Sequence, residues 1–153
     1  MGWTDQSSFP YSKVATVLMP IERTLAIIKP DAVGKNLIGA ILAHLEADGF
    51  VIREMRMQTL TDERARDFYA IHAERPFFDS LVDFMTSGPC VPMVLEREDA
   101  VAGLRRSIGA TDPSEANEGT VRRLYAESVE RNAIHASDSP DNATGEIGFF
   151  FGA

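Results

Sequence analysis

His135 sits in "NAIHASDS", residues 132–139, with Ala133 and Ile134 ahead of it and Ser137, Asp138 and Ser139 close behind. An imidazole at the end of an apolar segment gains a chemical use if the next residues aim a partner at it. Ser139-Pro140 is a helix start, a capping hydroxyl followed by a residue that lacks the N–H the first turn would leave unpaired. Free amides at such a start favour an anion. Glu146 follows a little under two turns later, within range of one imidazole nitrogen. A carboxylate there fixes the ring tautomer and leaves the lone pair of the other nitrogen free to attack. Free imidazole titrates near ~6.5, so it is mostly neutral at about pH 7 to 8 and needs no separate base.

The other residues of this type carry less. His44 and His72 fall inside helical stretches, with no cysteine or second histidine at metal-ligand spacing, and read as ordinary helix residues. Cys90 is the one cysteine, in an apolar run. It reads as a small core hydrophobe, and the lack of a disulfide partner leads us to expect a reducing, cytoplasmic setting. The segment "GKN" (34–36) lacks the spaced glycines and the hydroxyl of a P-loop.

Charge narrows the classes further. The 153 residues carry a formal net charge of −8, which argues against nucleic acid or an anionic membrane as a partner. A small anion is still admissible. A charge ~20 Å away in water is worth about 0.2 kcal/mol, against about 4 kcal/mol for a partly shielded pair ~4 Å apart. Local cations therefore overrule the global sign, and 12 of the 15 basic residues are arginine, whose fork suits phosphate.

The elements that must position these groups follow from periodicity. "RTLAIIKPDAV" (23–33) opens as a strand and is halted at Lys29-Pro30, and "NLIGAILAHLEADG" (36–49) is an amphipathic helix that Gly49 can close. "FVIREMRMQTL" (50–60) alternates as a strand with one exposed face. A helix from about Thr61 puts Ala65, Phe68, Tyr69 and His72 on one side, and a second, at 77–85, carries Phe77, Phe78, Leu81, Phe84 and Met85. "CVPMVLE" (90–96) is a third strand, with Pro92 awkward for a central position. A helix at 97–109, a polar loop, a short helix at 120–128, a strand at 132–136 and a last helix with Ile147, Phe150 and Phe151 complete the chain. With the helical insert at 61–87 set aside, the order is βαββαβ. That predicts an α+β, ferredoxin-like antiparallel sheet covered by helices, the insert lying between the second and third strands. Residues 1–20 read as a flexible N-terminal extension and 21–153 as the domain.

At this point the stretch around His135 resembles the active-site signature of the nucleoside diphosphate kinases, of the bacterial type with a short C-terminus. The resemblance runs from about Glu22 to Phe151 and includes "ERTLAIIKPDAV", "FYAIHAERPFFDSLVDFMTSGP", "GATDP" and "GTVR" in order and at the family's spacings. It implies an enzyme that moves the γ-phosphoryl group of a nucleoside triphosphate to a nucleoside diphosphate through a phosphohistidine, by a ping-pong mechanism with broad base specificity. By resemblance His135 is the nucleophile, Glu146 orients it, and Ser137 supports that Glu and the phosphoryl site. Arg105, Arg122 and Thr111 match residues that hold phosphates. Lys29 and Asn132 match contacts to the sugar 3′-hydroxyl, Lys29 also to the transferring phosphate, and Tyr69 matches an aromatic beside the phosphate and histidine. Phe77 would stack on the base, with Val129 against its other face and Leu81 bordering the pocket. The resemblance also implies Mg²⁺ held mainly by the nucleotide, and a homo-oligomer, tetramer or hexamer. One departure is Ala136, where the family usually has glycine; a methyl there would crowd the site if the backbone needs a positive φ. The alternative is a noncatalytic nucleotide-binding protein of the same fold.

Overall fold

The structure, a computed structural model, describes residues 19–152. The expected N-terminal extension lies outside the described residues except for its last two. The fold begins at Ile21 with β1 (Ile21–Ile28), whose last five residues are fully buried. That continuous apolar run suits a central strand covered on both faces, and β1 pairs antiparallel with both β3 (Val91–Glu98) and β4 (Ile134–Ala136). The remaining strand, β2 (Val51–Met55), pairs antiparallel with β3, giving the order β2-β3-β1-β4. This is the α+β, ferredoxin-like sheet expected from the sequence.

Side-chain alternation along β1 divides the core. Ala26 and Ile28 face a cluster with Ile41 and Leu45 of α2 (Ile38–Ala47) and Leu104 and Ile108 of α5 (Ala100–Ile108). Leu25 and Ile27 face the other cluster, with Ala65 of α3 (Asp62–Phe68), Val82 and Met85 of α4 (Phe78–Met85) and Phe150 of α7 (Pro140–Phe151). Helices thus cover both faces, the insert α3–α4 supplying part of the second layer. Cys90 is buried in that layer, where desolvation pushes its thiol up to about 11.

Three local expectations need correcting. Lys29-Pro30 ends the strand and also starts a five-residue helix, α1 (Pro30–Gly34), since Lys29 is extended and proline suits a first-turn position. The strand expected over 50–60 ends at Met55, with a register shift between Ile52 and Glu54. It is an edge strand, exposed at all its positions but Ile52. The helix expected to run through His72 stops at Phe68, and a 3₁₀ turn covers Ala70–His72.

Pro92 does sit in a central strand. Its carbonyl accepts from the Arg56 amide, so its nitrogen points to the same β2 side, just beyond the end of that strand. The ladder to β1 loses no donor there.

Candidate functional site

The strand β4 brings His135 to a cleft of about 840 Å³ between the α3–α4 insert, the start of α7 and the chain before β4. Eleven of the twelve residues singled out in the sequence line it: Lys29, Tyr69, Phe77, Leu81, Arg105, Thr111, Arg122, Val129, Asn132, His135 and Glu146. The twelfth, Ser137, is buried behind Glu146 and donates its hydroxyl to Oε1 at 2.5 Å.

Glu146 meets the imidazole at Nε2, 3.0 Å from Oε1 and 3.2 Å from Oε2. A carboxylate only accepts, so the nitrogen facing it carries the hydrogen and the lone pair stays on Nδ1. No described residue hydrogen-bonds Nδ1. The Phe68 ring lies near-perpendicular to the imidazole, centroids 5.4 Å apart at 74°, and also packs on Tyr69, Phe149 and Phe150. The imidazole is therefore held through one nitrogen and by the ring packed against it.

The geometry of α7 follows from its cap. Ser139 Oγ accepts from the Asn142 amide, and Asp138 accepts from the Asn142 side chain at 2.5 Å. The sequence reading of this helix start as an anion site needs amending. Pro140 has no N–H, Ser139 has taken one amide, and the exposed Asp138 and Asp141 line the cleft. Positive charge comes from side chains on other elements.

Arg122, on α6 (Val121–Tyr125), is almost wholly buried and donates to the carbonyls of Gly109 at 3.0 Å and Ile134 at 2.8 Å. Burial, then the nearby Arg105, lowers its guanidinium to about 10. Arg105 donates to the Ala136 carbonyl at 3.3 Å, so the carbonyls on either side of His135 are both taken by guanidiniums. Their sequence neighbours differ: Arg106 and Arg123 reach Asp99 and the Ser114 carbonyl on the exposed surface. Gly109 makes the Arg122 contact possible. Its φ is +90°, and a Cβ would come within 2.5 Å of Thr120 Oγ1, the hydroxyl that caps α6.

Lys29 is buried, with Nζ donating to Asn132 Oδ1 at 2.8 Å, and Asn132 Nδ2 donates to the Thr111 carbonyl at 3.3 Å. Desolvation, reinforced by Arg122, lowers the ammonium to about 8. Between Asn132 and β4 the chain makes a tight turn. The Ile134 amide donates to the Asn132 carbonyl at 2.8 Å around Ala133, whose φ is +72°. This is the rare, strained γ-turn, and it is over-determined from outside. Asp31 accepts from the Ala133 amide at 3.1 Å, while the Ala133 carbonyl accepts from the Lys29 amide at 2.8 Å.

Tyr69 is buried with its phenol raised well above the usual range by desolvation, its ring 6.5 Å from that of His135. At the other end of the cleft Phe77 is 47% exposed and Val129 55%, too open for core packing. Ala136 lies in regular strand with no positive φ, so the crowding its methyl would cause in that conformation does not arise. Sequence reasoning passed over Asp31, Phe68 and Asp138, and took His72 as a plain helix residue. His72 lines the cleft with its ring 5.5 Å from that of Phe77. Only Asp138 had a signal, its place in the segment after His135.

Among the described residues no group of three or more His, Cys, Asp or Glu side chains is arranged to hold a metal ion, and no helix is long and apolar enough to cross a membrane.

Comparison with known proteins agrees on one family. The profile of the family described as nucleoside diphosphate kinase matches residues 22–153. Relatives named nucleoside diphosphate kinase include those of Chlorobium chlorochromatii, 60% identical over 86% of this chain and 94% of theirs, and Salinibacter ruber, 53% identical over 87% and 94%. Among solved structures, the Aquifex aeolicus nucleoside diphosphate kinase superposes with a TM-score of 0.84 at 47% identity, covering 86% of this chain and 96% of that one. That of Encephalitozoon cuniculi gives 0.83 at 36%, covering 86% and 90%.

Proposed function

The chain belongs to the nucleoside diphosphate kinase family, an enzyme family of phosphoryl transfer between nucleotides, and from that premise we propose how its cleft performs the reaction. Nδ1 of His135 attacks the γ-phosphorus of a nucleoside triphosphate. The bond from that phosphorus to the β–γ bridging oxygen breaks, and the nucleoside diphosphate leaves with the oxygen and its electron pair. A terminal oxygen of a second nucleoside diphosphate then attacks the phosphohistidine in reverse. Donor and acceptor occupy one site in turn, which makes the kinetics ping-pong.

The observation that carries this reading is the His135–Glu146 pair in a cleft shared with Arg105, Arg122 and Lys29. Phosphoryl transfer depends mostly on positioning and charge stabilisation. The carboxylate holds the proton on Nε2 and stabilises charge as the ring is phosphorylated, with Ser137 fixing its oxygen. Arg105, Arg122 and the Thr111 hydroxyl hold the phosphates; Lys29 and Asn132 meet the sugar 3′-hydroxyl, and Lys29 the moving phosphoryl. Phe77 and Val129 sandwich the base, Leu81 borders it, and Tyr69 walls the phosphate side. Stacking is worth about 1–3 kcal/mol for any base, which supports broad base use.

The family needs a divalent cation, and we assign Mg²⁺. The donor set fits: Mg²⁺ keeps several waters and takes phosphate oxygens with one or two carboxylates, and Asp138 and Asp141 line the cleft. Asp138 and Asp141 would help to hold it beside the phosphates, where it would supply neutralisation of their charge. We also propose a homo-oligomer, tetramer or hexamer, a reading supported by the edge strand β2, which leaves Val51 and Met55 exposed. A cytoplasmic setting is supported by the buried free Cys90.

Incubation with γ-labelled ATP tests the mechanism. The expected result is a protein-bound label that survives base, is lost in acid, passes to any added nucleoside diphosphate and is missing in His135→Ala. A label that stays on the protein when GDP is added would support the noncatalytic nucleotide-binding reading instead.

A further inference from the structure

The base end of the cleft is made of two pieces of chain. One wall is the start of α4, with Phe77 at its N-cap and Leu81 a turn later; the other is the loop at 126–131, which presents Val129. Phe77 and Val129 both line the cleft and are about half exposed, so the core does not fix the gap between them. The gap matters. A radial gap of about 0.5–1 Å already forfeits a quarter to a half of the dispersion attraction at each contact.

One hydrogen bond crosses between the walls. Ser80 Oγ donates to Glu130 Oε2 at 2.8 Å, joining residues 50 apart in sequence. Ser80 precedes Leu81 on α4, and Glu130 follows Val129 in the loop. The loop is otherwise a closed unit. The Glu127 and Ser128 amides donate to the Arg131 carbonyl, and the Arg131 amide donates to Ser128 Oγ. It is also tethered at its ends, by an ion pair from Glu127 to Lys35 and by the Arg131 guanidinium 5.1 Å from the Phe84 ring centroid on α4. Such a unit moves as one piece, so its distance from α4 is set where it meets that helix, by the Arg131–Phe84 contact at its end and, near its tip, by the Ser80 bond. Glu130 also lines the cleft. Its charge opposes an anionic ligand and favours the Lys29 ammonium, while its Oε2 accepts from Ser80.

We propose that Ser80 and Glu130 form a strap that sets the width of the base slot between Phe77 and Val129, which makes both of them positioning residues for the nucleotide base. The proposal rests on the base-slot reading above. It separates two kinds of ligand: one with a base needs the strap, and a bare polyphosphate does not.

The test compares Glu130→Ala, Ser80→Ala, the double variant and Glu130→Gln with the unsubstituted enzyme, each with its thermal midpoint recorded. Glu130→Ala and Ser80→Ala are each expected to raise KM for a nucleoside diphosphate about three- to fivefold, with kcat within about twofold, as loss of one exposed charge-assisted hydrogen bond implies. The double variant should be no worse than either single one. Glu130→Gln keeps an oxygen that can accept from Ser80 and should stay near the unsubstituted enzyme. Inhibition by inorganic tripolyphosphate should weaken in none of them, since removing the Glu130 charge from the cleft can only favour an anion. Unchanged KM in the two alanine variants, additive effects, a Glu130→Gln as weak as Glu130→Ala, or an equal loss of tripolyphosphate affinity would each overturn the strap. Inactivity of the unsubstituted enzyme would overturn the function reading alone, because direct ADP binding by the same variants still reads the slot.

Discussion

The two ends of the cleft follow opposite physical plans. At the phosphate end Lys29, Arg122, Asn132 and Ser137 are almost wholly buried, and each is held by a hydrogen bond to a neighbouring side chain or to a backbone carbonyl. At the base end Phe77 and Val129 are half exposed and Ile71, at the rim, is 83% exposed. On the binding mode proposed above, the group common to every nucleotide meets polar atoms fixed before it arrives, while the group that varies meets apolar surface. Preorganised polarity serves the chemistry, and shape-tolerant stacking serves breadth.

The largest expected effect is at the buried end. Arg122→Ala removes the proposed phosphate donor and leaves the Gly109 and Ile134 carbonyls without their partner. Steady-state kinetics should record a loss of about 10²–10³ in kcat/KM, and denaturant unfolding a loss of about 1–3 kcal/mol. Arg123→Ala is the control, since that guanidinium is exposed and among the described residues bonds only the Ser114 carbonyl. Equal losses in the two variants would erase the distinction between the ends.

Next is the pH response of Lys29, whose ammonium is lowered to about 8 by burial and by Arg122. The free enzyme therefore loses that charge as pH rises through 8, and triphosphate affinity should fall by up to about tenfold between about pH 7 and 9. Isothermal titration at several pH values measures it, and Lys29→Met should flatten the profile. An unaltered slope in that variant would place the titrating group elsewhere. The fold responds with the opposite sign. A lysine whose folded pKa lies below its unfolded value gives up its proton first in the native state, so its unfavourable burial is relieved as pH rises above about 8.

The smallest effect is at the open end. Phe77→Ala should raise KM about five- to tenfold with kcat nearly unchanged, the lower part of the stacking range because the ring is half exposed. A fall in kcat with constant KM would mean that the base wall takes part in the chemical step.

These differences also explain what could be read from the sequence. The β1 core run, the Ser139-Pro140 cap and the His135–Glu146 spacing are short-range features whose residue types carry their own geometry, and each stands where its pattern implied. Contacts across the fold left no local mark. Asp31 reaches the Ala133 amide 102 residues away, and Phe68 reads as one more helix apolar although its ring packs against the imidazole. The end of β2 depended on the register shift after Ile52, which alternation cannot encode. Arg122 differs from Arg123 only through its burial, so their adjacent symbols are equivalent until α6 is docked.

The central claim is that Nδ1 of His135 carries the phosphoryl group while Glu146 occupies Nε2. Phosphorus–nitrogen coupling in the enzyme labelled with ¹⁵N-histidine and phosphorylated by ATP reads this directly. The expected result is coupling to Nδ1 of His135, with Nε2 still bearing its hydrogen toward Glu146. Coupling to Nε2, or to a ring of His44 or His72, would contradict it.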